Sequence, residues 1–189
     1  MEIIKARKEH SQLIARSIMD AVGEEICLDL AGKDHTLADV ERLFKGLVER
    51  EDSQYSYLNT IVAVDETDGK AVGVCVGYDG ARLYELRKAF IDAAARELGL
   101  DFENIVDETD DSEIYLDSLA VLPEYRGRGI AGMLLKAFIA NAEKLGKPAG
   151  LLVEKKKVNA RRLYEKVGFR QVGERPFCGV VMDHLQHQG

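Results

Sequence analysis

The feature that most constrains this chain is a run of glycines and arginines directly before a predicted helix. Residues 126–135 read RGRGIAGMLL. The first amides of a helix have no partner within the helix, and the helix dipole favours anions at that end. Glycines leave those amides uncovered, and the two arginines add positive charge. The segment therefore predicts a binding site for an anion, which we take to be a phosphate group.

Two interpretations of this turn are open. Gly127, Gly129 and Gly132 match the G-x-G-x-x-G fingerprint of dinucleotide-binding folds. However, residues 122–125 separate the glycines from the preceding strand, and only 57 residues follow the last glycine. The second interpretation is a pyrophosphate cradle of the form R-x-x-G-x-A, which Arg126, Gly129 and Ala131 supply. Small residues at its last two positions let a pyrophosphate approach the backbone amides.

Charge is unevenly distributed along the chain, whose net charge is −7. Residues 126–170 hold 12 basic and 3 acidic side chains, whereas residues 97–125 hold ten acidic and no basic ones. A basic segment next to an acidic one indicates two ligands of opposite charge. Nucleic acid is disfavoured as a partner because the whole chain is acidic and the basic segment lacks interleaved aromatic residues.

Composition also bears on location and on metal binding. The N-terminus lacks the pattern of a signal peptide, and no apolar run approaches the ~20 residues that span a bilayer. Cys27, Cys75 and Cys178 are far apart, so neither a disulfide framework nor a metal site is expected. We therefore expect a cytoplasmic protein with no membrane partner and no metal, and we expect Cys178 to be a core residue.

Periodicity predicts an α/β fold with a mixed, mostly antiparallel sheet of about seven strands flanked by helices, in one domain over residues 1–189. Helices are predicted over residues 11–25, from Thr36 as N-cap, and over 81–98, 130–145 and 159–167. Strands are predicted over residues 1–7, 57–64, 70–78, 114–121, 149–155, 169–174 and 177–185. The strands ending at Val121 and Lys155 should be parallel neighbours joined by the helix between them. If they splay apart, the gap would admit a long ligand.

Two segments resemble the GNAT superfamily of N-acetyltransferases. Residues 116–135, LDSLAVLPEYRGRGIAGMLL, resemble its acetyl-CoA signature, and residues 159–170, NARRLYEKVGFR, resemble its second signature. The resemblance implies the acyl-CoA N-acyltransferase fold, acetyl-CoA as co-substrate, and a small-molecule or peptide primary amine as acceptor. The helix over 81–98 departs from the family pattern, in which a short connection is common there. If the acidic segment 101–117 lies near the acceptor, it would favour a cationic one.

The resemblance also implies which residues contact coenzyme A. Leu119, Ala120 and Val121 would offer backbone groups to the pantetheine arm and the acetyl carbonyl. The pyrophosphate would lie on the turn, whose residues are Arg126, Gly127, Arg128, Gly129, Ile130, Ala131 and Gly132. Asn159 matches a family asparagine that contacts coenzyme A, although an asparagine before an amphipathic run can equally be a helix N-cap.

Acetyl transfer to an amine needs a group that removes a proton from the amine and a donor near the departing sulfur. By resemblance, Tyr164 is that donor; the alternative is a tyrosine that only packs. For the base we favour Asp117, then Glu113, then a chain of waters, against an acid that is merely exposed. Strict alternation would place five residues on one face of the strand: Glu113, Tyr115, Asp117, Leu119 and Val121.

Two alternatives to an acetyltransferase remain at this point. One is a module that senses or binds coenzyme A, or binds a protein, without catalysis. The other is an NAD-binding enzyme that uses the literal glycine fingerprint. Oligomeric state has no signal in the sequence, which allows a homodimer.

Overall fold

The computed structural model describes residues 1–102 and 104–187, and its elements follow the predicted order with one helix added. In chain order these are β1 (Glu2–Lys5), α1 (Ser11–Val22), α2 (Glu24–Ala31), α3 (Leu37–Glu49), β2 (Thr60–Val64), β3 (Ala71–Asp79), α4 (Leu83–Leu98), β4 (Ile114–Val121), α5 (Ile130–Lys144), β5 (Ala149–Glu154), α6 (Val158–Lys166), β6 (Arg170–Phe177) and β7 (Val180–His187). Within these residues, no helix combines the length and apolarity needed to cross a bilayer.

The seven strands form one sheet in the order β1-β2-β3-β4-β5-β7-β6. Neighbours are antiparallel except β4 and β5, which are parallel and connected through α5. The predicted mixed sheet with this parallel pair is confirmed. Because the sheet is mostly antiparallel, it is not the doubly wound sheet that the dinucleotide fingerprint would require.

The two strands of the parallel pair stay together only briefly. Ile114 to Leu116 pair with Ala149 to Leu151, and the described residues show no pairing beyond that point. The strands therefore separate towards the C-terminal half of β4. The separation that the sequence analysis gives as a condition for admitting a long ligand, between the strands ending at Val121 and Lys155, is thus present.

Apolar cores cover both faces of the sheet. On one face, α1 to α4 pack over the first strands around residues such as Ile14, Phe44 and Phe90. On the other face, α5 packs through Leu134 and Phe138. This layering explains the helical spacing of apolar residues seen in the sequence, because each helix buries one stripe against the sheet.

The helix predicted over residues 11–25 is two helices. Gly23 has φ 98° and ψ 158°, a conformation that side chains disfavour, and it ends α1 and starts α2. The second helix buries Cys27 and Leu30 in the core. The predicted cap at Thr36 is confirmed: its hydroxyl accepts from the Asp39 amide at 3.3 Å, and the Asp39 carboxylate accepts from the Thr36 amide at 2.8 Å.

A β-bulge interrupts β4 at Asp117. Val76 of β3 pairs with Ser118 and Gly77 pairs with Leu116, so Asp117 is the extra residue between them. The prediction that strict alternation places Glu113 to Val121 on one face is therefore wrong. Beyond the bulge, Leu119 packs with the α5 core, whereas Tyr115 packs in a cluster with side chains of α4.

Candidate active site

The N-terminus of α5 presents open backbone amides. Gly127 and Gly129 have φ of 77° and 79°, in the left-handed region that favours glycine. In the described part of the chain, the amides from Gly129 to Gly132 donate to no other group. A Cβ added at Gly127, Gly129 or Gly132 would meet nothing within 4 Å. The turn therefore has both free donors and open space for an anion.

The two arginines of the turn hold its shape and add charge to it. The Arg126 side chain donates to the Val121 carbonyl at 2.9 Å, and Arg128 donates to the Glu124 carbonyl at 2.9 Å. Arg128 also lies over the Tyr125 ring, 4.8 Å from its centroid. Both guanidinium groups remain exposed beside the helix N-terminus, so their positive charge is available to an anion there.

A pocket of about 330 Å³ opens where β4 and β5 separate. Its walls come from the α1–α2 junction, β4, the end of β5, α6 and the β6–β7 turn. Of the predicted site residues, Asp117, Leu119 and Tyr164 line it together. Ala120 and Val121 continue β4 from there towards the glycine turn. β4 therefore leads from the pocket, which contains the predicted catalytic residues Asp117 and Tyr164, towards the turn with the open amides.

Asp117 titrates close to neutrality. Burial raises the pKa of this carboxyl to about 7, and the nearby charge of Glu108 adds to the increase. Hydrogen bonds from Ser118 and Gln54 act in the opposite direction and lower the pKa. The Ser118 hydroxyl donates to Oδ1 at 2.7 Å. The bulge places this carboxyl on the pocket wall, where it is available as a base near pH 7.

Tyr164 lies on α6 and lines the same pocket. Its ring packs edge-to-face on Phe169, with centroids 5.9 Å apart and an angle of 63° between the planes. Burial raises the pKa of its hydroxyl to about 12, and Cys75 contributes. The phenol therefore stays protonated at neutral pH and can act as a donor in the pocket.

Glu113 is not brought into the pocket. It is fully buried, and its carboxylate accepts from the Thr109 hydroxyl at 2.8 Å and from the Gln186 amide at 2.8 Å. His184 Nε2 lies 2.8 Å from the same carboxylate. A Cβ at Gly150 would collide with this group. The arrangement gives Glu113 the role of tying β4 to β7 across β5.

Asn159 is exposed in the first turn of α6, one residue before Ala160, which lines the pocket. The interpretation of Asn159 as the N-cap is wrong, because α6 begins at Val158 and Lys157 occupies the cap position. The asparagine side chain is thus not used in capping within the described structure.

Three acids of the acidic connection are paired with arginines. Asp107 and Glu108 pair with Arg87, and Asp110 pairs with Arg175 at 2.7 Å. Among the described residues of 101–117, only Asp117 brings a carboxylate to the pocket. The condition under which this segment is predicted to favour a cationic acceptor is therefore met, at the pocket, by Asp117 alone among its described carboxylates. The pocket receives its other acids from Asp20 and Glu154, neither of which the sequence places at an acetyltransferase site because they belong to distant elements.

Cys178 is another residue that the sequence misplaces. It lies exposed in the two-residue turn between β6 and β7, with φ 48°, and it lines the pocket instead of the core. Burial by the pocket walls raises the pKa of its thiol. The sequence does contain a signal for this turn, because Cys178 stands directly before Gly179 and residue pairs ending in glycine favour tight hairpin turns.

Comparison with known proteins identifies the family of this chain. A sequence model of the Acetyltransferase (GNAT) family matches residues 27–169, and the chain belongs to that family. Members of this family take the acetyl group from acetyl-CoA. A search of the curated proteins gave no match.

Solved structures share the whole fold. One described as an acetyltransferase is 26% identical, with a TM-score of 0.79 over 100% of this chain and 99% of its own. An N-acetyltransferase from Staphylococcus aureus Mu50 is 23% identical, with a TM-score of 0.79 over 98% of this chain and 100% of its own. The yncA structure from Salmonella typhimurium, which contains its cofactor acetyl-CoA, is 18% identical, with a TM-score of 0.59 over 99% of this chain and 92% of its own.

Proposed function

We propose that this protein is an N-acetyltransferase that moves the acetyl group of acetyl-CoA to a primary amine. The observation that carries the proposal is the pairing of Asp117, whose pKa is about 7, with the protonated Tyr164 on the walls of one pocket. The pocket lies where β4 and β5 separate, and β4 continues from it to Val121, five residues before the glycine turn begins at Arg126.

The residues present fit coenzyme A. The amides of Gly129 to Gly132 and the charges of Arg126 and Arg128 suit a pyrophosphate. The edge of β4 from Leu119 to Val121 pairs with no residue of β5, and of its described backbone groups the Val121 carbonyl is already engaged by Arg126. The rest of this edge suits an extended arm that needs backbone hydrogen-bond partners. When bound, acetyl-CoA supplies the activated acetyl group. A backbone amide placed against the acetyl carbonyl would polarise it, which is worth ~3 kcal/mol for one such donor.

Asp117 fits the role of general base. An ammonium has no lone pair, so the acceptor must lose a proton before it can attack. A carboxylate with a pKa of about 7 is ionised in a large fraction of molecules at neutral pH, yet is basic enough to accept that proton. Asp117 takes the proton at its carboxylate directly or through one water.

Tyr164 fits the role of hydrogen-bond donor to the departing sulfur. Thiols ordinarily titrate near ~8.5, below the pKa of about 12 of this phenol. Full transfer of its proton to the thiolate would therefore be uphill. We infer that Tyr164 mainly stabilises the thiolate by donating a hydrogen bond, and that the thiolate takes its final proton from solvent or from the acceptor.

The charges of the pocket favour a cationic acceptor. Asp20, Asp117 and Glu154 contribute three acidic side chains to the described lining, against the single basic side chain of Lys157. Lys157 donates to the Ala21 carbonyl at 3.0 Å and lies 3.6 Å from Glu154, which also pairs with Lys156 at 2.8 Å. Because Glu154 is already paired, Asp20 and Asp117 are the acids of the described lining that have no ion pair. An acceptor with a second positive group would thus be bound more tightly than a neutral one.

Release of free thiol from acetyl-CoA over a panel of amines tests the function. We expect release with at least one amine, and a loss of ~10²–10⁴ in kcat in Asp117→Asn. Tyr164→Phe should lower kcat with little change in KM for the amine. Asp92→Asn and Tyr57→Phe, which change the same groups at surface positions, should behave like the wild type.

Absence of release with every amine, combined with tight acetyl-CoA binding, would replace the proposal by a non-catalytic module that senses or binds coenzyme A. Calorimetric titration with acetyl-CoA and with NADH supplies the binding measurement, and heat from NADH alone would favour a dinucleotide enzyme.

A further inference from the structure

The role of the acidic loop between α4 and β4 is open once the pocket is described. We propose that Asp110 of this loop is a positioning residue that acts through Arg175 on the β6–β7 hairpin, whose tip forms the wall of the pocket against which the acceptor binds. This inference rests on the proposed function, in which the pocket receives an amine beside acetyl-CoA. It gives the loop a part in acceptor binding in this chain.

The tip of the hairpin, residues 176–181, extends beyond the neighbouring strand. The pairing of β7 with β5 ends at Met182 and Glu154, so the described residues of the tip take part in strand pairing only with each other. Cys178 and Gly179 at the turn both have positive φ, which is typical of a tight two-residue hairpin. The tip is therefore a compact unit, and contacts at its base set its position relative to the pocket.

One side of the tip forms part of the pocket. Phe177 and Cys178 line the pocket, together with Met182 at the base of the tip. We place the arm of acetyl-CoA along the edge of β4, with its sulfur at Tyr164, whereas the hairpin lies on the other side of β5. The wall that the hairpin contributes is thus left for the acceptor. A shift of the hairpin should change the fit of the amine and leave the fit of acetyl-CoA unchanged.

Arg175 stands at the base of the tip, where it pairs in register with Met182. Its guanidinium donates to Asp110 Oδ2 at 2.7 Å. The Arg175 side chain is 22% exposed, so the ion pair is partly shielded from solvent. The pKa of Asp110 is lowered from 3.8 to about 2, first by the hydrogen bond from the Ser112 hydroxyl and next by that from Arg175. The pair therefore stays charged throughout the neutral range.

The loop holds Asp110 in a fixed position. A Cβ added at Gly80 would collide with the Asp110 carbonyl, so the backbone of the loop lies directly against the end of β3. Lys147 supports the next residue, because its ammonium donates to the Asp111 carbonyl at 2.8 Å and to Asp79 at 2.5 Å. An ion pair with a partner that is already ordered loses less side-chain entropy on forming than most pairs at a protein surface.

The opposite face of the hairpin is also held. Glu174 faces away from the loop, because successive residues of a strand alternate between faces, and it pairs with Lys155 at 2.5 Å. Its register partner Asp183 pairs with Arg161 of α6. The hairpin thus lies between α6 on one face and the acidic loop on the other. Loss of the Arg175 contact should release the hairpin near its tip on one face without unfolding it.

Two variants break the pair with little other change. Asp110→Asn keeps Oδ1, which accepts from the Ser112 amide at 3.0 Å. Arg175→Met keeps most of the aliphatic stem, which can still pack. Asp111→Asn is the matched control: it removes the same charge from the next residue, which is exposed and has no ion pair in the described structure.

The first measurement needs no substrate. Hydrogen–deuterium exchange read by mass spectrometry reports the local opening of the tip, residues 176–181. Exchange there should be ~3–5-fold faster in Asp110→Asn and in Arg175→Met, the factor expected for loss of one partly exposed ion pair. Asp111→Asn should exchange like the wild type, and the peptide that carries α5 should be unchanged in every variant.

The second measurement is steady-state kinetics with an amine that the protein acetylates. KM for the amine should rise ~3–5-fold in both variants, whereas kcat and KM for acetyl-CoA should stay unchanged, because Asp117 and Tyr164 are untouched. The double variant of Asp110→Asn with Arg175→Met should be no worse than either single variant, since the two changes remove one interaction. A pair that only stabilises the fold would not raise KM for the amine alone.

Unchanged exchange at the tip in both single variants, or equal changes in these two and in Asp111→Asn, would overturn the proposal. Faster exchange with an unchanged KM for every accepted amine would overturn it as well, because the wall would then not contact the acceptor. If Arg175→Met does not fold, Asp110→Asn decides against the same control. Faster exchange in a protein that acetylates no amine would leave the link between loop and hairpin standing and remove the proposed function instead.

Discussion

At the scale of single residues, the decisive feature is a carboxyl placed where its charge is unfavourable. Asp117 is the extra residue of a bulge and is half-buried. The charge of the buried Glu108 acts on it. Its pKa is raised from 3.8 to about 7, mainly by burial. In the unfolded chain it would ionise near its ordinary value. Folding is therefore favoured by this group at low pH, and that contribution is lost as the pH rises from about 4 to about 7.

The upward direction of this pKa shift predicts that removal of the Asp117 carboxyl lowers activity but raises stability. Asp117→Asn should unfold at the same denaturant concentration as the wild type near pH 4, and be increasingly more stable up to pH 7. Above that the gain levels off at no more than about 4 kcal/mol. Urea unfolding at several pH values measures it. A variant that is less stable than the wild type at pH 8 would contradict the raised pKa.

At the scale of elements, the N-terminus of α5 is where we propose that the cofactor binds. Its free amides act together, because the helix fixes their direction and the glycine turn leaves them open. Side-chain bulk in the first turn should interfere with an anion at this point, whereas the same bulk further along the helix should not. Substitutions in this turn should therefore change the binding of acetyl-CoA without changing the stability of the fold.

Ala131→Leu tests this separation. We expect acetyl-CoA affinity to fall at least ~10-fold, because the larger side chain keeps the pyrophosphate from the amides. The melting temperature should change little, since Ala131 is only partly buried. Ala140→Leu, an exposed position on the same helix, is the control and should bind like the wild type. Isothermal titration calorimetry measures both. Equal affinity in the two variants would place the pyrophosphate elsewhere.

At the scale of the whole molecule, the sheet is one layer with a gap between β4 and β5. β4 and β5 are joined at one end and open at the other. A cofactor in this gap would contact both the half of the sheet that ends with β4 and the half that begins with β5. It should therefore stabilise the fold against global unfolding.

Acetyl-CoA at 100 times its dissociation constant should contribute about 2.7 kcal/mol, which for a chain of this size corresponds to a rise of about 5–10 °C in melting temperature. NADH at the same concentration should produce no rise. Differential scanning fluorimetry checks both ligands, and a response to NADH comparable with that to acetyl-CoA would contradict the assignment.

The sequence predicted the architecture better than the local irregularities that make the site. Apolar periodicity was sufficient for the sheet, and the glycines of residues 127–132 were sufficient for the open amides at the start of α5, because both follow from local rules. The bulge at Asp117, the break at Gly23 and the ion pair between Asp110 and Arg175 depend on contacts between distant segments. Asp117 was placed in the pocket for a partly wrong reason, since the alternation that pointed to it ends at that residue.

The exposed position of Cys178 allows ligand binding to be followed by fluorescence. Cys27 and Cys75 are buried, so a thiol-reactive fluorophore would attach selectively at Cys178. The dye would then lie at the rim of the pocket, and its emission would change as ligands enter and leave. Binding order could be followed in real time on the unmutated chain, without an engineered labelling position.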